Sequence, residues 1–234
     1  MKTNRTERPI IFSTLMVQAI LEGRKIMTRR IVKIPDVQAN PDRFRYAGNS
    51  NEIEIPTPAI GCDDRMWHQF KVINNNGTSW NDVCPYGKPG DRLWVRETFF
   101  SAKKFKEAPL LANGPDFYYK SDNAIIGDHK WKPSIHMPKA AARIWLEITK
   151  IRVERLHSIT EEDATAEGIE MMTNSVRTSL PKICFRIYTT NNSWDVSPIF
   201  SFYSLWENIN GYGSWQENPW VWVIEFKRVE GGQQ

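Results

Sequence analysis

The segment from Arg143 to Leu156 constrains the fold most. Ile144, Leu146 and Ile148 alternate with other residues, and Ile151, Val153 and Leu156 follow after a switch of phase near Lys150. A period of two is the mark of a strand, and a change of phase within it marks a bulge or bend that suits barrel curvature. Two more segments repeat this pattern. The turn cluster Gly87-Lys88-Pro89-Gly90-Asp91 opens a strand over 92–100, in which Leu93, Val95 and Glu97 share a face. Pro219 introduces a second strand over 220–229, with Trp220, Trp222, Ile224 and Phe226 on one side. A carboxylate half-buried among apolar neighbours needs a partner, so Glu97 is expected to pair with Arg24 or Arg96 or to serve a site.

Helices are few. Ile10, Ile11 and Phe12 form a short strand that leads through Ser13 or Thr14, either of them a suitable N-cap, into Met16, Val17, Ala19, Ile20 and Leu21 at helical spacing, with Gly23 at the end. Thr160 followed by Asp163 opens a second helix that closes at Gly168 and carries Glu167 in its last turn. Ser197-Pro198 starts a third, closed by Gly211. Strands without regular alternating helices exclude a parallel α/β sheet. They predict an α+β, mainly β fold: a small closed or nearly closed barrel with helices at its ends and long inserted loops.

The insertions are expected at about 34–89, 101–139 and 170–196 of one domain spanning 1–230, with a frayed tail at 231–234. The first is rich in Pro, Asn, Asp and Gly, with candidate strands at 43–46, 53–55 and 67–73. Its Asn76-Gly77 is a hairpin signal between Phe70–Ile73 and Ser79–Val83. The second is read mostly as loop, with one aromatic strand at 116–120.

Composition narrows the function classes. A hydrophobic share of 41% in 234 residues supports a proper core, and a net charge of +4 permits nucleic acid without requiring it. Cys62, Cys84 and Cys184 are odd in number and widely spaced, which argues against a disulfide framework and a zinc site and fits a reducing cytoplasm. The polar N-terminus and the lack of a long apolar run argue against export and membrane spanning. Ten tryptophans, five of them between Trp194 and Trp222, are read as core before base-stacking platform. No Walker motif, dinucleotide glycine pattern or nucleophile elbow occurs, so no nucleotide or dinucleotide cofactor is expected. His68, His129, His136 and His157 lack metal-type spacing, and only His136 is kept as a pocket candidate.

The chemistry concentrates in Gly23-Arg24-Lys25-Ile26-Met27-Thr28-Arg29-Arg30, just past a helix end. One reading is a solvated basic loop that the negative end of the helix dipole favours. The other is a phosphate or nucleobase site with Thr28 as nucleophile and Lys25 as base, the lysine held neutral by desolvation and by Arg24, Arg29 and Arg30.

This octapeptide resembles the signature of ASCH domains, a branch of the PUA-like superfamily. Gly90-Asp91-Arg92-Leu93-Trp94-Val95-Arg96 resembles the family's turn into a strand. Leu156 to Glu167 resembles its short acidic helix, and Trp222-Val223-Ile224-Glu225-Phe226 its closing strand. Residues 87–98, 131–138 and 206–222 resemble a longer phage and prophage branch. The resemblance implies a PUA-like barrel. It also implies the activity of the compact bacterial members, the metal-free hydrolysis of N4-acetylcytidine to cytidine and acetate. Lys25 would then be proton acceptor, Thr28 nucleophile and Glu167 proton donor. Beside the resemblance, the residues themselves offer Arg24, Arg29, Arg30, Glu97 and His136 as candidate substrate contacts, with Glu97 the reserve carboxylate. Two other expectations stand beside it: an RNA-binding module with or without ribonuclease activity, and a phage accessory protein that binds another protein and keeps a relic pocket. The expected partner is thus a modified nucleoside or RNA, and the oligomeric state is open.

Overall fold

The structure, a computed structural model, describes residues 5–33, 44–46, 69–74, 79–102, 115–173, 183–190 and 193–230. The expected strand at 53–55, the Asn76-Gly77 turn, the tail at 231–234 and Cys62 lie outside them.

Strand β1 (Glu7–Ile11) runs into helix α1 (Thr14–Leu21), whose N-cap is Ser13: its hydroxyl accepts from the Met16 amide at 3.4 Å. Gly23, at φ +77, turns the chain back, and strand β2 (Met27–Ile31) follows at once. The basic segment is therefore strand rather than loop over its second half, Met27 to Arg30. Met27 to Glu225 and Ile31 to Val221 mark the ends of an antiparallel ladder on the closing strand, and five consecutive pairs outweigh the segment's polar composition.

The first insertion contains a three-stranded antiparallel sheet of β3 (Phe44–Tyr46), β4 (Gln69–Asn74) and β5 (Ser79–Val83). The expected single strand over 92–100 is two: β6 (Arg92–Arg96) and β7 (Phe99–Ser101), which pairs instead with β8 (Phe117–Tyr119). The chain changes sheets at Glu97-Thr98, where the Glu97 side chain pairs with Arg143. Strand β9 (Trp145–Arg155) carries the expected irregularity: Glu225 pairs with Lys150 and Phe226 with Ile148, leaving Thr149 as the extra residue.

Helix α2 (Glu161–Ala166) has Thr160 as N-cap and Glu167 as C-cap. The third insertion, expected to be irregular, forms β10 (Met171–Thr173), β11 (Ile183–Ile187) and β12 (Ser193–Asp195) in an antiparallel sheet. Helix α3 (Pro198–Asn210) is capped by Ser197 and ended by Gly211, and β13 (Trp220–Val229) closes the chain.

The main sheet has the order β1-β6-β9-β13-β2. Only β1 and β6 are parallel; the other three pairings are antiparallel. The fold is thus mostly strands in sheets with few helices. Among the described residues the ladder is open, with β1 and β2 at its edges, and the Arg30 guanidinium links those edges by donating to the Ile11 carbonyl at 2.7 Å. Trp220 to Ile224 are buried without a break, so β13 is covered on both faces rather than on the single apolar face its pattern suggested. One continuous core runs from Ile10 to Phe226, with two smaller clusters around Phe99 and Phe100. Among described side chains no tryptophan is exposed, and Trp145, Trp206, Trp220 and Trp222 are buried. No described helix is long and apolar enough to cross a membrane.

Trp222→Ala removes a fully buried ring from the central strand and should lower the unfolding free energy by about 3–5 kcal/mol in urea denaturation. A loss under about 1 kcal/mol would show that β13 is not the packed centre described.

Candidate functional site

Lys25 is held by three pieces of secondary structure at once. Past the end of α1, the amides of Arg24 and Lys25 both donate to the Ala19 carbonyl, at 2.9 and 3.0 Å. The Ile26 amide donates to Ala166 at the end of α2, and the Ile26 carbonyl accepts from Phe226 of β13. Lys25 and Glu167 thereby form an isolated antiparallel bridge. Gly168 makes this approach possible. At φ +84 it lies so close that a Cβ there would sit 2.6 Å from the Lys25 Cβ and 2.9 Å from the Ala19 Cβ.

The side chains meet as well. The Lys25 Nζ donates to Glu167 Oε2 at 2.7 Å and to the Glu167 carbonyl at 2.8 Å, and both residues are only 3% exposed. Burial pushes the Lys25 pKa below its ordinary 10.5; Glu167 opposes this, while Arg30 and Arg29 add to it. The carboxylate is gripped from its other oxygen by Arg29, which reaches Oε1 at 3.3 Å. Arg29 also donates to Glu154 at 2.6 Å and to Asp163. Burial works against the charge on Arg29, but these carboxylates outweigh it and the net direction of its pKa is upward. Arg152 continues the network by pairing with Glu154, Asp163 and Glu225. Three cations, Lys25, Arg29 and Arg152, thus face four carboxylates, Glu154, Asp163, Glu167 and Glu225.

Lys25, Thr28, Arg29, Arg30 and Glu167 all line one cavity of about 540 Å³, a volume within the ordinary range for small-ligand sites. Thr28 is buried, and its hydroxyl has no hydrogen-bond partner among the described residues. Because β2 is an edge strand, residues from both its faces reach the cavity. Phe12 beside α1 and Phe202 and Trp206 of α3 supply apolar walls, with the Lys25 ammonium nitrogen 5.6 Å from the Phe12 ring centre.

The other candidates lie elsewhere. Arg24 faces away from this cavity, lining a second one of about 330 Å³, and its guanidinium binds Glu22 and the Gly168 and Ile169 carbonyls. Glu97, 1% exposed, is paired with neither Arg24 nor Arg96 but with Arg143 at 3.0 Å and with the Ser121 hydroxyl, an internal ion pair outside the cavity. His136 is exposed and does not line the cavity, although Ser134 in the same short turn does. Arg29 lines it, but the two terminal nitrogens of its guanidinium are spent on carboxylates, so it positions Glu167 rather than meeting a ligand.

Sequence reading missed Arg152, Glu154, Asp163 and Glu225 as the outer part of this network. The available signal was the two-residue spacing of Arg152 and Glu154, which puts both on one face of β9. No family model, curated protein or solved structure matches the chain.

Gly168→Ala should destabilise the protein by about 1–3 kcal/mol more than Gly90→Ala, since the new methyl must displace Lys25 and Ala19. Gly90 is a fair control, with φ +89 and nothing within 4 Å of a built Cβ. Equal losses in paired denaturation curves would mean that Gly168 is needed for its backbone angle alone.

Proposed function

We propose that the chain is an ASCH-type, PUA-like protein whose cavity hydrolyses the amide of an N4-acylated cytidine or a related modified nucleobase. The observation that carries this reading is the meeting of Lys25, Thr28 and Glu167 on one cavity, from positions that the sequence separates by up to 142 residues. It is supported further by the Thr28 hydroxyl, which has no partner among the described residues, and by the downward pKa of Lys25. A neutral amine is what a general base for a hydroxyl requires.

In this mechanism the Thr28 Oγ attacks the acyl carbonyl carbon while the Lys25 amine takes the hydroxyl proton. The proton then has a short route across the 2.7 Å contact to Glu167. Glu167 delivers it to the exocyclic nitrogen as the C–N bond breaks, freeing the amine and leaving an acyl ester on Thr28. Water, deprotonated by Lys25, hydrolyses that ester and restores both groups. Arg29 keeps the Glu167 carboxylate aimed at Lys25 throughout. An RNA reader of the same fold would favour exposed aromatic platforms beside its cations. The described tryptophans are instead half-buried or buried, which favours a small substrate.

Incubated with N4-acetylcytidine, the protein should release cytidine and acetate, and Thr28→Val or Lys25→Met should lower kcat by about 10²- to 10⁴-fold. Lack of turnover by the wild type across acylated cytidines and cytosines would sink the reading.

Because the base must be unprotonated, kcat/KM should climb with pH through a midpoint below 10.5. The folded chain releases the Lys25 proton before the unfolded chain does. Between the two pKa values the unfolded state therefore holds more protons, and the Lys25 contribution to stability rises with pH across that window. Lys25→Arg should abolish both the activity and this rise. A pH profile that Lys25→Arg leaves unchanged would assign the titration to another group.

A further inference from the structure

The two arginines of β2 have different fates. Arg29 is consumed by three carboxylates, whereas Arg30 has no carboxylate within ion-pair distance among the described residues. Its guanidinium donates to the Ile11 carbonyl, stacks 5.1 Å from the Phe12 ring centre, and leaves a buried Nε without a partner. Trp206, another wall of the cavity, likewise holds a buried indole N–H with no partner. Lys33, exposed and also lining the cavity, adds a second cation beyond Arg30. Unsatisfied buried donors in a folded protein call for an explanation, and three of those among the described residues, on Arg29, Arg30 and Trp206, belong to residues that line this one cavity.

We propose that the Arg30–Lys33 end of the cavity is an anion subsite, and that it takes the phosphate of a nucleotide whose base lies toward Lys25, Thr28 and Glu167. This deepens the hydrolase reading by naming its substrate as a nucleoside monophosphate rather than a free nucleoside, and in that respect it rests on that reading. At a strand rise of about 3.3 Å per residue, Arg30 lies about 7 Å along β2 from Thr28, which leaves room for a sugar between reacting amide and phosphate. The planar guanidinium fork fits phosphate oxygens, and the ammonium of Lys33 adds charge without fixed geometry.

The test measures binding without turnover, so that it stands apart from the fate of the hydrolase reading. Calorimetric titration of the full chain with cytidine 5′-monophosphate and with cytidine should show the monophosphate bound about 10- to 100-fold more tightly. Arg30→Gln should collapse this ratio to less than about threefold, and the exposed Lys33→Gln should reduce it in part. Taking the ratio within each variant cancels any general loss of folded protein, and Lys33→Gln keeps the test intact where Arg30→Gln does not fold. Equal affinities for the two ligands, or a ratio that survives both substitutions, overturns the subsite. Tighter binding of a trinucleotide with a central cytidine than of the monophosphate overturns the mononucleotide assignment. Preference for the monophosphate without hydrolysis of its N4-acetyl form would leave the subsite standing and remove the hydrolase. Hydrolysis of N4-acetylcytidine without that preference would do the reverse.

Discussion

Lys25 and Glu167 stand 142 positions apart and meet twice, once through the backbone and once through their side chains. The end of α1, the end of α2 and the start of β2 are all placed by that meeting. A buried ammonium without a partner would be costly, and so would a buried carboxylate. Neither residue can therefore be buried here unless the other is. The Ala19 carbonyl, which accepts from two successive amides, and Gly168, which offers no side chain to block the approach, are the local means by which the chain meets this condition. An apolar pair would have satisfied the packing more cheaply; buried ion pairs are often no more stable than well-packed hydrophobic residues of the same volume. A pair in a cavity wall is accordingly weak evidence for stability by itself.

The network behind the pair follows from charge. Glu167 bound only to Lys25 would leave its second carboxylate oxygen buried without a partner. Arg29, with its permanently protonated guanidinium, holds the carboxylate from the opposite oxygen, and Glu154 and Asp163 offset its own desolvation. Arg152 then keeps those two carboxylates from repelling each other across a partly buried surface. With four carboxylates facing three paired cations, the unpaired Arg30 sits where Glu167 acts on it through space. The site is thus electrically close to balance while one guanidinium keeps donor capacity to spare.

Much of this was legible in the sequence where a local rule applied. Ser13, Thr160 and Ser197 cap their helices because a hydroxyl can satisfy an orphan amide, and the phase switch near Lys150 is the bulge at Thr149. What local rules could not give is partnership. Four cations in eight residues suit a solvated loop as well as a site, and only the ladder on β13 makes Met27 to Arg30 strand. Glu97 showed its need for a partner by its apolar neighbours, but the partner proved to be Arg143, 46 residues away. His136 failed for the opposite reason: its turn does reach the cavity, through Ser134, while the histidine itself points to solvent. The sheet at 171–195 was missed because three short strands of three to five residues carry too few alternations to register.

The division of labour between Arg29 and Arg30 shows how far a single register can matter. In a strand, neighbours point to opposite faces, so Met27 and Arg29 share one side and Thr28 and Arg30 the other. The ladder sets Arg29 opposite Val223 and Arg30 opposite Trp222. Sliding β2 by one residue would exchange the two faces, sending Arg30 into the carboxylates and taking Arg29 away from them. Two adjacent arginines look interchangeable as letters, and what separates the one that builds the site from the one left to meet a ligand is the pairing of β2 with β13, held in place by Ile26 between Ala166 and Phe226.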